Sequence, residues 1–168
     1  MPTTTTPAEK HQERWQKIVD DPLLSKLPYK VETNRRGQIV LSPPTTFHSR
    51  QQKRVMKRLD ELLSSGEAFQ EWPIATAGGT RQADVIWASD ERLYEMDETG
   101  DPPTLAPEIC VEIMSESNDL EEMDEKRRLY WEAGAEEVWV VAADGSVRFF
   151  ADDELERSEL APDFPQSI

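Results

Sequence analysis

The sequence predicts a single α/β domain, a mixed and twisted sheet flanked by helices, and three observations predict it. Two short β-branched and aromatic runs, Ala83-Asp84-Val85-Ile86-Trp87 and Ile109-Cys110-Val111-Glu112-Ile113-Met114, read as buried strands. A stretch with helix start and stop signals, 118–134, follows the second of them. The chain has 168 residues, enough for one full hydrophobic core and too few for two.

The elements follow in order. Residues 1–27 form an N-terminal helical arm, with Thr6 as N-cap, Pro7 at the first helical position and Glu9 as capping-box acid, running to about Asp21 before Pro22. The main domain spans 28–168. Its first element is a hairpin, Tyr29 to Glu32 and Gln38 to Leu41, around the turn Asn34-Arg35-Arg36-Gly37. A helix from about Phe47 to Ser64 opens at Thr45 or Thr46, stops at Gly66, and places His48, Val55, Leu59 and Leu62 on its inner face. Phe69 to Ala75 reads as a strand that Pro73 confines to a sheet edge or a bulge, and 77–80 turns the chain into the Asp84 strand. Acids and prolines make 90–107 a polar, mobile loop. The next helix takes Asn118 as N-cap, Glu121 as its capping partner and Gly134 as its stop. Residues 137–143 and 146–151 pair as a hairpin, and the acidic stretch from Asp152 reads as a tail.

Charge is distributed unevenly. Residues 1–60 carry 12 Lys/Arg against 6 Asp/Glu, whereas 61–168 carry 7 against 28, within a total of −15. Arg50, Lys53, Arg54, Lys57 and Arg58 lie on one helix, either as a phosphate-contacting patch or as a solvated face. A pI near 4.5 works against tight non-specific nucleic-acid binding, because each phosphate contact is made in the field of the acidic remainder. No apolar run approaches the ~18 residues of a membrane span. Residues 1–6 lack the basic and apolar segments of a signal peptide. The single Cys110 has no partner for an internal disulfide, so a reducing, cytoplasmic setting is the expectation.

The chemistry centres on Asp84, Glu112 and Lys126. Each strand has a carboxylate at its middle, and a buried carboxylate is costly unless a cation, a metal or a cage of hydrogen bonds compensates it. Met123, Lys126, Tyr130 and Ala133 are spaced in the threes and fours of one helix face, which points Lys126 inward. Carboxylate oxygens select Mg²⁺ or Mn²⁺, and the sequence offers no His/Cys cluster to favour another ion. Such an ion activates water for phosphodiester hydrolysis, with Lys126 orienting the water or stabilising developing charge. The competing reading is a structural Glu112–Lys126 ion pair.

The run Ala83-Asp84-Val85, then Pro107 to Ser115, then Asp124-Glu125-Lys126 with Tyr130, Gly134 and Glu137-Val138-Trp139-Val140-Val141, resembles the Uma-type family of the PD-(D/E)xK nuclease superfamily. Its members are usually described as restriction endonucleases. The resemblance implies a restriction-endonuclease-like core with Asp84 and Glu112 on neighbouring strands as metal-binding carboxylates. The superfamily's usual lysine position, two residues after the second acid, holds Met114; the Uma-type pattern is similar in moving the lysine to the next helix, where Lys126 stands. Ala83 replaces the proline of the motif name. The literal D-x-K of Asp124-Glu125-Lys126 is not the motif, since helix residues two apart point about 200° from each other. Glu32, His48 and Tyr130 match as accessory positions, with a solvated strand residue and a hydrogen-bonded structural histidine as the plainer readings of Glu32 and His48. The resemblance implies a Mg²⁺-dependent DNA endonuclease, with DNA and a second copy of the chain as partners. The alternative is a non-catalytic binding or assembly module on the same fold.

Overall fold

The computed structural model describes residues 4–115 and 119–168. Helix α1 (Pro7–Val19) begins with the expected capping box, Thr6 and Glu9 each bonding the other's backbone N–H. Its Trp15 and Ile18 are buried, and Gln12 donates to the carbonyls of Thr99 and Pro102 at 2.8 and 2.7 Å, so the arm is packed on the domain. Strands β1 (Lys30–Thr33) and β2 (Ile39–Ser42) form a separate two-stranded sheet. Gly37, at φ +75°, and the Asn34 carboxamide, which accepts from Arg36 and Gln38 N–H groups, close its turn.

Helix α2 (Thr46–Leu62), capped by Thr45, precedes a six-stranded sheet in sequential order: β3 (Gly66–Thr76), β4 (Gly79–Ser89), β5 (Ile109–Ile113), β6 (Glu137–Val141), β7 (Val147–Phe150) and β8 (Glu154–Leu155). All neighbours are antiparallel except β5 and β6, which run parallel across the crossover helix α4 (Leu120–Glu132). Pro73 sits in β3 at the sheet edge, where its missing N–H disrupts no ladder bond.

Alternation along the strands divides the core. Val85, Trp87, Val111 and Trp139 face α2 residues Val55 and Leu59, while Ile86, Ala88 and Cys110 pack with Met96 and Tyr130 on the other face. Asp84 and Glu112 share the parity of Ile86 and Cys110, which directs both carboxylates towards the α4 side.

Three expectations are corrected. Residues 90–107 are not a mobile loop: α3 (Asp90–Glu98) is capped by Ser89, carries two acids in its first turn and buries Met96. The loop after it is tied down by Arg92, which donates to the carbonyls of Ala106 and Gly134. Its polar composition hid a helix that buries only one side. Second, Asn118 lies outside the described residues, and α4 is capped by Asp119, which accepts from Glu122 N–H rather than making the expected partnership with Glu121. Third, the segment from Asp152 is no free tail. It supplies β8 and the buried Ala161 and Phe164, whose ring stands 4.6 Å from that of Trp139. Glu137 ties it down by accepting from Ser158 Oγ and from the N–H groups of Glu159 and Leu160. No helix among the described residues is long and apolar enough to cross a membrane.

Candidate functional site

The β4–β5 ladder ends at the Val85–Val111 rung. One step beyond it, the strands part around the Asp84 side chain, whose Oδ2 accepts the Ile113 N–H at 2.7 Å. The carboxylate thus takes the place of a missing backbone acceptor, and only Oδ1 is left to face other groups. Glu112 stands on the neighbouring strand, and both residues are almost fully buried.

Four further elements converge on this pair. From α4, the Lys126 ammonium lies 3.0 Å from Glu32 Oε1 and 3.5 Å from Glu112 Oε2, and the Tyr130 hydroxyl donates to Glu112 Oε1 at 2.6 Å. From β1, Glu32 also accepts the Gln82 N–H, and Lys30 places its ammonium 2.8 Å from Asp84 Oδ1 and 3.8 Å from Glu112 Oε2. From α2, His48 Nε2 lies 2.9 Å from Asp84 Oδ1, and Gln52 donates both to the Asp84 carbonyl and to Glu71. From β3 comes Glu71 itself, where the backbone adopts φ +51° between the paired neighbours Gln70 and Trp72.

Asp84, Glu112 and Lys126 are therefore brought together, as are the accessory Glu32, His48 and Tyr130. Glu32 is not a solvated strand residue but is 3% exposed, and His48 is directed at a carboxylate. Sequence reading missed Lys30 and Glu71. Each had a signal: Lys30 shares strand parity with Glu32, and reflecting Asp84 through the turn at 77–78 lands on Glu71.

The electrostatics follow from burial opposed by pairing. Burial drives Asp84 upward, but the Lys30 ammonium and the His48 hydrogen bond outweigh it and hold the carboxyl well below its usual range. Burial pushes Glu112 up to about 7, against the pull of Lys126 and Lys30 and with the help of Asp84. Glu71 is raised by burial and by the nearby Asp84 charge. His48 is raised because its bond to Asp84 overcomes desolvation, and both lysines are raised by the surrounding acids despite burial. At neutral pH, Asp84 is an anion and Glu112 is poised to exchange a proton.

Ligating atoms of His48, Glu71 and Asp84 all lie within 4.8 Å of one another, which is a possible acidic metal site. The donor set fits a divalent ion. It brings the accessory His48 to the carboxylates, so one imidazole nitrogen stands beside the oxygen ligands. Lys30, Gln52, Glu71 and Gln82 also line an open groove of about 580 Å³ together with Trp15 and Tyr29, so these flanking groups meet solvent while Asp84 and Glu112 stay buried behind them.

The sequence model of the Uma2 family, described as "Putative restriction endonuclease", matches residues 21–166. Among solved structures, the chain is similar to one from Anabaena variabilis ATCC 29413 described as "a putative nuclease belonging to DUF820". That match has 14% identity, a TM-score of 0.65, and covers 85% of this chain and 91% of the other, a likeness of fold. No curated protein matches the chain.

Proposed function

This chain belongs to the Uma2 family, and on that premise we propose that it is a divalent-metal-dependent endonuclease that hydrolyses phosphodiester bonds in DNA. The observation that carries the reading is the convergence of Asp84 and Glu112 on adjacent strands with Lys126, and of His48 and Glu71 on Asp84, with Glu71 lining an open groove. A purely structural ion pair needs neither a second lysine nor a histidine–glutamate flank.

Asp84, with Glu112, Glu71 and His48 as the available further ligands, would hold Mg²⁺ or Mn²⁺, and the histidine favours Mn²⁺. When bound, such an ion polarises a phosphoryl oxygen and lowers the pKa of a water. The chain's own groups do the rest. The Ile113 N–H fixes Asp84 so that Oδ1 faces the site. Glu112 Oε2, the oxygen not bonded to Tyr130, is available either to hold the ion or to take a proton from the attacking water. Lys126 sets positive charge beside that carboxylate and offsets the negative charge that gathers on the phosphoryl group. No covalent intermediate is required.

The exposed basic face of α2, Arg50, Lys53, Arg54, Lys57 and Arg58, supplies phosphate contacts on an otherwise acidic molecule. The reading includes a homodimer, checked by sedimentation. It also includes a reducing cytoplasmic setting, with which the single buried Cys110 accords. The functional test is incubation with supercoiled, linear and single-stranded DNA in Mg²⁺ or Mn²⁺. Metal-dependent cleavage that stops on chelation is the expected result, and the preferred substrate identifies the strand form.

A further inference from the structure

We propose that Lys30 holds the cation position of this site, so that a divalent ion binding at Asp84 must displace its ammonium. The inference rests on the metal-site reading above and adds the residue that competes with the metal. Asp84 commits Oδ2 to the Ile113 N–H, leaving Oδ1 as the oxygen that can receive a cation. Lys30 Nζ already lies 2.8 Å from that oxygen and 3.8 Å from Glu112 Oε2, bridging the two carboxylates. Oδ1 already faces both Lys30 Nζ and His48 Nε2, so a metal ligated there at about 2.0–2.6 Å would crowd the ammonium and repel its like charge, whereas a neutral imidazole can turn ligand.

The rest of the structure gives the ammonium a way out. Its four-carbon stem is flexible, its side chain retains 13% exposure, and it lines the open groove. The β1–β2 hairpin that carries it joins β4 through side chains, by Gln82 N–H to Glu32, Gln82 Nε2 to the Val31 carbonyl and Thr80 N–H to Thr33 Oγ1, with no shared ladder. Lys126 differs on each count: it is 3% exposed, sits on α4, and has Glu32 and Glu112 as its ion-pair partners. Removing Lys30 frees Asp84 Oδ1 of an ammonium and recruits an external cation to it more strongly, whereas removing Lys126 unpairs Glu32 and Glu112 but leaves Lys30 on Asp84.

The experiment titrates Mn²⁺ into the full chain by calorimetry at pH 7.5 after chelator treatment and dialysis, comparing wild type with Lys30→Met, Lys30→Gln, Lys30→Arg and Lys126→Met. Lys30→Met and Lys30→Gln are expected to bind Mn²⁺ at least ~10-fold more tightly than wild type, the effect of deleting one competing like charge. Lys30→Arg should stay near wild type, and Lys126→Met should gain less than Lys30→Met. Two neutral variants guard against one failing to fold. Unchanged, weaker or absent Mn²⁺ binding in the neutral Lys30 variants overturns the proposal, as does an equal gain in Lys126→Met, which would be a general charge effect. DNA cleavage by wild type is scored separately. A wild type that cuts nothing, beside Lys30 variants that bind Mn²⁺ more tightly, removes the nuclease reading and leaves this one standing. Cleavage in Mn²⁺ without any affinity gain does the reverse.

Discussion

The Tyr130 hydroxyl donates to Glu112 Oε1 at 2.6 Å, and both groups are buried, so each satisfies the other where water cannot. Tyr130→Phe removes the donor while keeping the ring, and leaves a buried carboxylate oxygen short of a partner. The expected loss is about 1–3 kcal/mol in denaturant unfolding, the cost of an unsatisfied buried group. An unchanged midpoint would mean that water or another side chain already serves Glu112.

Without metal, pH should act on stability through the same residue. Glu112 titrates at about 7 in the folded chain and near 4.5 when unfolded, so between these values the folded state binds the extra proton and stability falls as pH rises. Glu71, also raised, acts in the same direction from about pH 4.5 upward, and His48, raised from 6.5, joins at the upper end, where His11, lowered from 6.5, opposes it. Asp84 and Glu32 are lowered, so their contribution is present above about pH 4 and is lost on further acidification. In chelator, the melting temperature should therefore peak near pH 5 and decline towards 7.5, and Glu112→Gln should flatten that decline. A wild-type melting temperature that rises from pH 5 to 7.5 contradicts the assignment.

Metal should restore what the clustered acids cost. Melting temperature is expected to climb with Mn²⁺ by mass action, equivalent to about 2.7 kcal/mol at one hundred times the dissociation constant. Asp84→Asn should abolish the shift, and Glu71→Gln should weaken the apparent affinity by at least the ~10-fold that even an outer-shell partner is worth. Equal shifts in wild type and Asp84→Asn would place the ion elsewhere.

How much of this was legible depended on whether the signal was local. The strands around Asp84 and Glu112 and the inward stripe of α4 are written in short-range periodicity, which suffices to bring Asp84, Glu112 and Lys126 to one buried cluster. Glu71 and Lys30 were not found, because their part in the site arises from pairing across a hairpin and from docking of one sheet on another. Their own neighbours, Gln70-Glu71-Trp72 and Tyr29-Lys30-Val31, look like ordinary strand surface. Helix α3 was missed for a related reason: its burial rests on Met96, and its caps are lost among other acids and prolines. Phe164 belongs to the core only because Glu137 pulls the chain back across β6.

The basic face of α2 makes a forecast independent of the chemistry. Replacing Arg50, Lys53 and Arg54 together with glutamine should weaken DNA binding and reduce the slope of log affinity against log salt by about 2–3, with cleavage at saturating DNA little changed. An unaltered salt slope would make this face a solvated surface.

Single-turnover cleavage of DNA in saturating Mn²⁺, compared between wild type and Asp84→Asn, asks whether Asp84 organises a metal-dependent hydrolytic centre as proposed. Both proteins should retain the folded circular dichroism spectrum. Metal-dependent cleavage by wild type is expected, lowered at least ~10³-fold in the variant, the scale of losing an essential charged group of such a centre. Cleavage by Asp84→Asn at the wild-type rate, or no cleavage by wild type of any duplex or single strand in either metal, would contradict it.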